Sequence, residues 1–244
     1  MQNRIKNYIK KSAFSVFGLL LAMSLTTTVL AQDTKKIKEQ QKEGINEVQE
    51  ASKVMREIMD VPDKAIPREL LEKAQAIGVF PNVVKAGFIV GGRGGDGVVA
   101  RRTEKGWSMP VFYNIGGSSF GAQIGAKKTD YIMLFMNKGA LQDLLDDKVE
   151  FEGNLSFAAG PVGRTLGAGT NLTLDSGILV YSRSSGLFAG ASIGGAVLTA
   201  DNSINEAFYK MKAFEVLENP EKTNTMNLPK ELNVFTETVE LYAK

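Results

Sequence analysis

The sequence predicts an α+β protein in which a glycine-rich antiparallel β meander or partly closed barrel is flanked by N- and C-terminal amphipathic helices. Of the 25 glycines, 23 lie between Gly78 and Gly195. Short apolar or alternating runs separated by turn residues fill this interval, as is typical of neighbouring strands. Both flanks instead carry apolar residues at helical spacing. Helices are therefore expected on either side of the sheet.

The composition excludes much of enzyme chemistry. The chain has 244 residues, with no cysteine and no histidine. Disulfides, thiolate zinc sites, cysteine nucleophiles and every catalytic triad with an imidazole base are thereby excluded. Carboxylate chemistry such as glycoside hydrolysis stays open, but no pair of acidic residues stands out, and we assign no catalytic residue, cofactor or bound metal.

The first 31 residues have the pattern of a secretory signal peptide. Four basic residues precede an apolar run from Ala13 to about Met23, and the small residues Val29 and Ala31 place the expected cut before Gln32. An uncleaved anchor is the alternative. We expect an exported protein, periplasmic or secreted and peripherally associated with a membrane at most.

Removal of this leader changes the net charge. Subtracting its four basic residues from the 29 in the chain leaves 25 against 27 acidic residues, a net charge of −2 instead of +2. Bulk charge therefore gives no support for nucleic-acid binding. An anion-binding site would have to be a local patch.

Residues 32–62 are predicted to form the N-terminal amphipathic helix. The apolar positions assigned to a membrane-facing side are Ile37, Ile45, Val48, Met55 and Ile58. Their spacing suits either a helix docked on the surface of the protein or one that inserts reversibly into a membrane. Ile66-Pro67 opens a second short helix, because proline is favoured in the first helical turn.

The β domain is assigned to residues 63–210 and a C-terminal helical extension to 211–244. Within the β domain, Lys138 to Leu145 is predicted to be a helix, and Asp201 to Tyr209 another. A further helix is expected from Pro229, with Leu232 on its apolar side. The strands are expected at 76–80, 87–90, 97–102, 107–113, 119–126, 131–136, 155–159 and 177–182.

Three motifs resemble functional patterns without meeting their structural requirements. Gly92 to Gly97 matches the dinucleotide pattern G-x-G-x-x-G, but a strand follows where a helix is needed, so we predict a hairpin turn with a charged tip. Gly117 to Gly121 matches the nucleophile-elbow pattern, yet no histidine exists to accept the serine proton. The acidic group at residues 143–152 lacks the glycine and alternating ligands of a calcium loop.

The basic residues of the β region form the candidate binding site. They are predicted near strand ends beside glycine-rich turns, where they could share one rim. Amides in such turns favour anions, and each basic residue contributes about 1 kcal/mol at an anionic membrane surface. Solubilising charges at hairpin tips are the alternative. The candidate residues are Lys85, Arg93, Arg101, Arg102, Lys127, Lys128, Arg164 and Arg183.

A combination of motifs carries a family resemblance. They are residues 76–93 (AIGVFPNVVKAGFIVGGR), 106–108 (GWS), 123–126 (QIGA), 135–137 (FMN), 158–164 (AAGPVGR) and 181–190 (YSRSSGLFAG). From about Ala65 to Tyr209 the chain resembles the SYLF lipid-binding domain. Members usually carry a basic residue where Ser185 stands and an acidic one near Gly194, so this chain departs from the pattern there.

The resemblance implies binding of acidic phospholipids without enzymatic activity. It further implies phosphoinositide binding in animal and fungal members, some of which also bind actin. For an exported bacterial member, acidic glycerophospholipids are the expected ligands. We therefore predict an anionic phospholipid or membrane surface as the partner, with no nucleic acid. The alternative is a module that binds a protein or the cell envelope without lipid specificity, and a carboxylate-based hydrolase is a more distant one.

Overall fold

A computed structural model describes residues 32–61, 65–146, 148–151, 157–163, 176–184, 186–191 and 193–243, with the backbone alone at 88–90, 119–125 and 148. The predicted signal segment and Arg164 lie outside these residues. The described helices are α1 (32–59), α2 (Arg68–Lys73), α3 (Lys138–Leu145), α4 (Asn202–Tyr209), α5 (Ala213–Glu218) and α6 (Asn233–Tyr242). Two short 3₁₀ helices span Pro220–Thr225 and Lys230–Leu232.

In the described part of the chain, eight strands form one curled sheet. They are β1 (Ala76–Thr103), β2 (Gly106–Trp107), β3 (Val111–Phe135), β4 (Lys148–Glu150), β5 (Phe157–Ala159), β6 (Ile178–Ser184), β7 (Leu187–Gly190) and β8 (Ala196–Ala200). β1 and β3 contain 28 and 25 residues, whereas strands of globular proteins usually have 3–10 residues. These two strands pair antiparallel from Ala76↔Phe135 to Val99↔Val111. They form a long ribbon on which the other strands assemble.

The ribbon folds back, so that one part of β1 packs on another. A Cβ placed on Gly97 would lie 2.8 Å from the Cα of Phe80, and one on Gly95 would lie 3.0 Å from the Cα of Val83. At the two ends of the ribbon, β6 extends the sheet beside residues 130–135 of β3, and β8 does so beside residues 113–117. The curl therefore brings two arms of one sheet face to face.

Helices from both flanks of the chain cover the curled sheet. α1 and α6 contribute Val48, Met55, Phe235 and other apolar side chains to the same hydrophobic cluster as the strands. Asp201 caps α4 by accepting a hydrogen bond from the Ile204 amide, which is the usual role of aspartate at a helix start. In the described part of the chain, no helix combines the length and apolar character that a membrane crossing requires.

The predicted α+β class is confirmed, but three details differ. Gly92 to Gly97 do not form a hairpin tip; they lie inside β1 and pair with residues 113–118 of β3. Glycine is compatible with a turn and equally with an extended strand that needs close backbone packing. The sheet is also not wholly antiparallel, because β5 runs parallel to β6, with Phe157 opposite Ile178. Nor is it a simple meander, since β3 adjoins β1, β6 and β8.

Candidate functional site

The predicted basic rim is divided between two distant regions of the sheet. Arg102 lies beside Gln75, whose carbonyl accepts a hydrogen bond from the Arg102 amide. Lys85 lies about 30 Å further along β1, given a rise of about 3.3 Å per residue. Arg101 and Arg102 therefore belong to one region, whereas Lys85, Lys127 and Lys128 belong to the other.

Arg102 fastens the end of α2 to the sheet. Its Nε donates to the carbonyl oxygen of Ala74 at 3.0 Å, and its Nη2 donates to that of Leu71 at 2.8 Å. The guanidinium also lies over the Trp107 indole, 4.3 Å from the ring centroid. These contacts supply donors to carbonyl groups at the end of α2, where the helix leaves acceptors incompletely paired. Two of the five guanidinium N–H groups and one face of Arg102 are therefore engaged within the fold.

Arg101 makes a similar contact with the C-terminal part of the chain. Its Nη1 donates at 2.6 Å to the carbonyl oxygen of Leu217, in α5. A cleft of about 490 Å³ lies between this arginine and Pro220–Thr225, and its charged lining residues are Arg101, Arg102, Lys105, Glu104, Glu218 and Glu221. The lining thus carries as many acidic as basic groups. This mixture weakens any preference of the cleft for an anion.

Arg93 and Arg183 also bind groups of the protein itself. Arg93 donates to the carbonyl oxygens of Ile193 and Gly194, each at 3.2 Å. Burial lowers the pKa of the Arg93 guanidinium. Arg183 pairs with Asp130 at 2.8 Å and with Glu57 of α1, so its charge is balanced. Neither arginine is displayed as a free cation.

Three lysines remain as the candidate site, and we call Lys85, Lys127 and Lys128 the lysine patch. Lys85 and Lys127 are direct antiparallel partners, which places both side chains on the same face of the ribbon. Lys85 lies 5.5 Å from the centroid of the Tyr131 ring. Lys128 points to the opposite face, because side chains alternate along a strand. Lys127 and Lys128 are both exposed, and the described residues provide no ion pair for the patch.

An acidic groove lies on the other side of β1 from Lys85. Its volume is about 460 Å³, and Glu43, Glu47, Glu50 and Asp96 supply its carboxylates. Burial, together with the charges of Asp96, Glu43 and Asp201, raises the pKa of Glu47 to about 9. This groove disfavours anionic ligands. In the part of the chain that the structure covers, no group of acidic residues has the geometry of a metal site.

The apolar side of α1 is docked on the protein. Val48 and Met55 are fully buried and Ile58 is 2% exposed, while Ile45 packs against the same core from a half-buried position. Ile37, one of the first residues of the helix, is also half-buried. Of the two arrangements that the spacing allowed, the structure contains the docked helix. The membrane-facing role of these residues stays a prediction that requires α1 to leave the core.

Sequence reasoning did not find several residues that shape this region. The partners of Arg183, Glu57 and Asp130, are distant in sequence and carry no spacing signal. Leu187 was read only as part of a motif, yet it is 74% exposed. It follows Gly186, whose φ of +79° marks a turn. An apolar residue directly after a glycine, just beyond the predicted strand at 177–182, was the available signal.

Comparison with known proteins places the fold in a family. A family model described as "Ysc84: Las17-binding protein actin regulator" matches residues 116–242, from within β3 to the end of α6. The chain belongs to the Ysc84 family. This finding confirms the resemblance to the SYLF domain that the motifs indicated. The Ysc84 family is described as one of binding and regulatory proteins, in agreement with the prediction of a binding role.

Curated Ysc84 relatives come from animals and fungi. SH3 domain-containing YSC84-like protein 1 of Rattus norvegicus is 33% identical over 206 residues, which cover 80% of this chain and 60% of the relative. The Homo sapiens protein of the same name is 32% identical with the same coverage. Protein YSC84 of Saccharomyces cerevisiae is 31% identical over 173 residues, covering 67% of this chain and 37% of the relative. The chain thus spans about 60% of the length of the animal relatives.

Proposed function

We propose that this Ysc84-family protein binds anionic phospholipid at a membrane surface, without catalysis, and that the lysine patch contacts the lipid phosphates. The observation that carries the proposal is the direct pairing of Lys85 with Lys127 next to the exposed Lys128. Like charges placed opposite each other on neighbouring strands destabilise a sheet. An anionic surface relieves that repulsion and gains about 1 kcal/mol from each lysine.

The arginines of the predicted rim have a different role in this proposal. Arg101 and Arg102 hold backbone carbonyl groups of α5 and α2, so we assign them to stability of the fold. Lys85 and Lys127, the two members of the lysine patch that share a face, then account for about 2 kcal/mol of membrane affinity at low ionic strength. This energy corresponds to a factor of about thirty in the dissociation constant.

Vesicle co-sedimentation tests the proposal. The full chain is mixed with vesicles of equal parts phosphatidylglycerol and phosphatidylcholine, and compared with a variant in which Lys85, Lys127 and Lys128 are all replaced by glutamine. We expect binding by the parent chain to weaken with added salt, since exposed charges are screened over about 10 Å at 0.1 M. The triple variant should bind at least about thirty times more weakly.

A matched control separates the lysine patch from net charge. Replacing Lys73, Lys138 and Lys222 by glutamine removes the same number of charges from exposed positions near α2, α3 and the Pro220–Thr225 helix. This control variant should bind vesicles within about threefold of the parent chain. Equal binding by the lysine-patch variant and the control would refute the proposed site. The same result is expected if the protein is simply tethered to the membrane through residues 1–31, because neither set of substitutions changes that segment.

We also propose that the protein is exported, with residues 1–31 removed before Gln32. The basic start, the apolar run and the small residues before the cut support this proposal. N-terminal sequencing of the protein from a cell-envelope fraction tests it. A chain that retains Met1 would show that the segment is an anchor or is not processed.

A second candidate function is binding of a protein or of a cell-envelope polymer without lipid specificity. The family description as a Las17-binding protein and actin regulator favours it. Retention on purified cell-envelope material, together with absent vesicle binding at low salt, would favour this function over lipid binding.

A further inference from the structure

Leu187 occupies an unusual position for a large apolar residue. It begins β7 directly after Gly186 and is 74% exposed, whereas Val84 and Val162 are each 39% exposed. Gly186 has a φ of +79°, and a Cβ placed on it would meet no atom within 4 Å. The turn that ends in Leu187 therefore projects into solvent.

The projecting turn is held by packing behind it. Phe188 stacks on Tyr181 with ring centroids 5.5 Å apart and an interplanar angle of 9°. Further along β7, a Cβ on Gly190 would lie 3.0 Å from the amide nitrogen of Gly160, in the loop after β5. A turn fixed in this way loses little conformational entropy when its tip becomes buried in a bilayer or in a binding partner.

Leu187 lies at the same end of the sheet as the lysine patch. It pairs with Ser184 in the β6–β7 hairpin, and the Ser184 hydroxyl donates to the carbonyl oxygen of Lys128 at 3.1 Å. Neighbouring strands are about 4.8 Å apart, so the backbones of Leu187 and Lys128 are separated by about 10 Å. An apolar tip thus lies beside a group of lysines for which the described residues provide no ion pair.

We propose that Leu187 is an apolar anchor that inserts into the bilayer while the lysine patch contacts the anionic headgroups. This inference rests on the proposed function and adds the orientation in which the protein meets the membrane. Apolar residues beside lysines are the combination by which peripheral elements bind anionic bilayers. Protein interfaces, in contrast, are depleted of lysine and bury several apolar residues at their centre. A single leucine flanked by lysines therefore fits a lipid surface better than a protein partner.

A fluorescent probe tests insertion directly. The chain contains no cysteine, so Leu187→Cys gives one labelling site for an NBD fluorophore without further changes. Leu241→Cys is the matched control, because Leu241 is 61% exposed and lies on α6. With vesicles of equal parts phosphatidylglycerol and phosphatidylcholine, we expect the emission of the Leu187 probe to shift to the blue and to rise severalfold. The Leu241 probe should not change.

Affinity provides the second measurement on unlabelled protein. Leu187→Ser should weaken co-sedimentation with the same vesicles about tenfold. Transfer of a leucine side chain out of water gains enough free energy to strengthen binding by about this factor or more. Leu241→Ser should bind as the parent chain does. Both leucines are exposed in the free protein, so neither substitution disturbs the core.

The outcomes distinguish this inference from the proposed function. If the parent chain binds vesicles but the Leu187 probe stays in water, insertion is refuted and lipid binding is not. If the parent chain does not bind these vesicles, both are refuted. A Leu187 probe that responds to a protein fraction and not to lipid would assign the tip to a protein interface and would also overturn the inference.

Discussion

Gly97 packs directly against the backbone of Val79, although the two residues belong to the same strand. A Cβ on Gly97 would overlap the Val79 carbonyl oxygen and would lie 2.6 Å from a ring carbon of Phe80. Val79 and Phe80 are both fully buried. The contact joins the two arms of the folded ribbon, and it requires a residue without a side chain.

Gly97→Ala should therefore destabilise the protein strongly. The added methyl group meets backbone atoms that cannot move aside, so we expect the free energy of unfolding to fall by about 3 kcal/mol. Urea unfolding monitored by circular dichroism measures this change. Gly94→Ala is the control, because a Cβ there would meet no atom within 4 Å, and its effect should stay within about 0.5 kcal/mol. Equal stability of the two variants would contradict close packing of the arms.

The same contact explains what the sequence could not predict about the sheet. Glycine-rich stretches indicated β structure and closely packed backbones correctly, and the helices were found from apolar spacing. The pattern at Gly92 to Gly97 nevertheless suits a turn as well as a strand. Whether this segment forms a turn or a strand depends on its contacts with Val79 and Phe80, which are close to Gly97 in space but distant from it in sequence. Periodicity within a short window contains no such information.

Prediction of the candidate binding site was limited in the same way, because the partners of its basic residues are distant in sequence. The basic residues of the β region were identified by type. The structure separates the arginines, which donate hydrogen bonds to groups of the protein, from the lysine patch, for which the described residues provide no ion pair. The partners of Arg101 and Arg102 are the carbonyl groups of Leu217 and Leu71. Every residue has a carbonyl group, so a sequence gives no sign of which one an arginine will bind. Only the tertiary fold selects the lysine patch.

Replacement of Arg102 should reduce stability and leave vesicle binding unchanged. Arg102→Gln removes the charged hydrogen bonds to Ala74 and Leu71 and the contact with Trp107. We expect a loss of about 2 kcal/mol in the free energy of unfolding. Fluorescence of Trp107, the one tryptophan in the chain, should report the change during urea unfolding.

Lys105→Gln is the control for Arg102, because Lys105 is exposed and lies in the turn between β1 and β2. It removes one charge from the same cleft without the two carbonyl contacts. Its stability should match that of the parent chain. If Arg102→Gln instead kept full stability and lost vesicle affinity, the arginine would belong to the membrane-binding site.

Stability should depend on pH through Glu47. Burial and the neighbouring carboxylates of Asp96, Glu43 and Asp201 raise its pKa from 4.5 to about 9. The folded protein thus holds a proton that the unfolded chain releases above pH 4.5, and the resulting stabilisation is complete below this pH. It should decline as the pH rises towards 9, by up to about 1.4 kcal/mol per pH unit.

Unfolding curves measured between pH 5 and pH 9 test this dependence. Glu47→Gln should flatten the decline, since glutamine resembles the protonated carboxyl and does not titrate. Glu206→Gln removes an exposed carboxylate from α4 and should leave the decline intact. A parent chain whose stability is constant over this range would show that Glu47 is ionised in the folded protein.

The docked position of α1 can be separated from a membrane-inserted one by two substitutions. Met55 is fully buried, so Met55→Ala should cost about 3 kcal/mol in the free energy of unfolding. Ile37 is half-buried near the start of the helix, and Ile37→Ala should cost less than about 1 kcal/mol.

If α1 remains docked at the membrane, both variants keep the vesicle affinity of the parent chain under conditions where they are folded. If its apolar side inserts, Met55→Ala loses about as much free energy in the docked state as in the inserted one, so its vesicle affinity stays near that of the parent chain. Ile37→Ala then loses about 0.8 kcal/mol in the bilayer for each methylene equivalent removed and little in the docked state. A marked loss of vesicle affinity by Ile37→Ala, with Met55→Ala near the parent chain, would therefore show that α1 leaves the core to bind lipid.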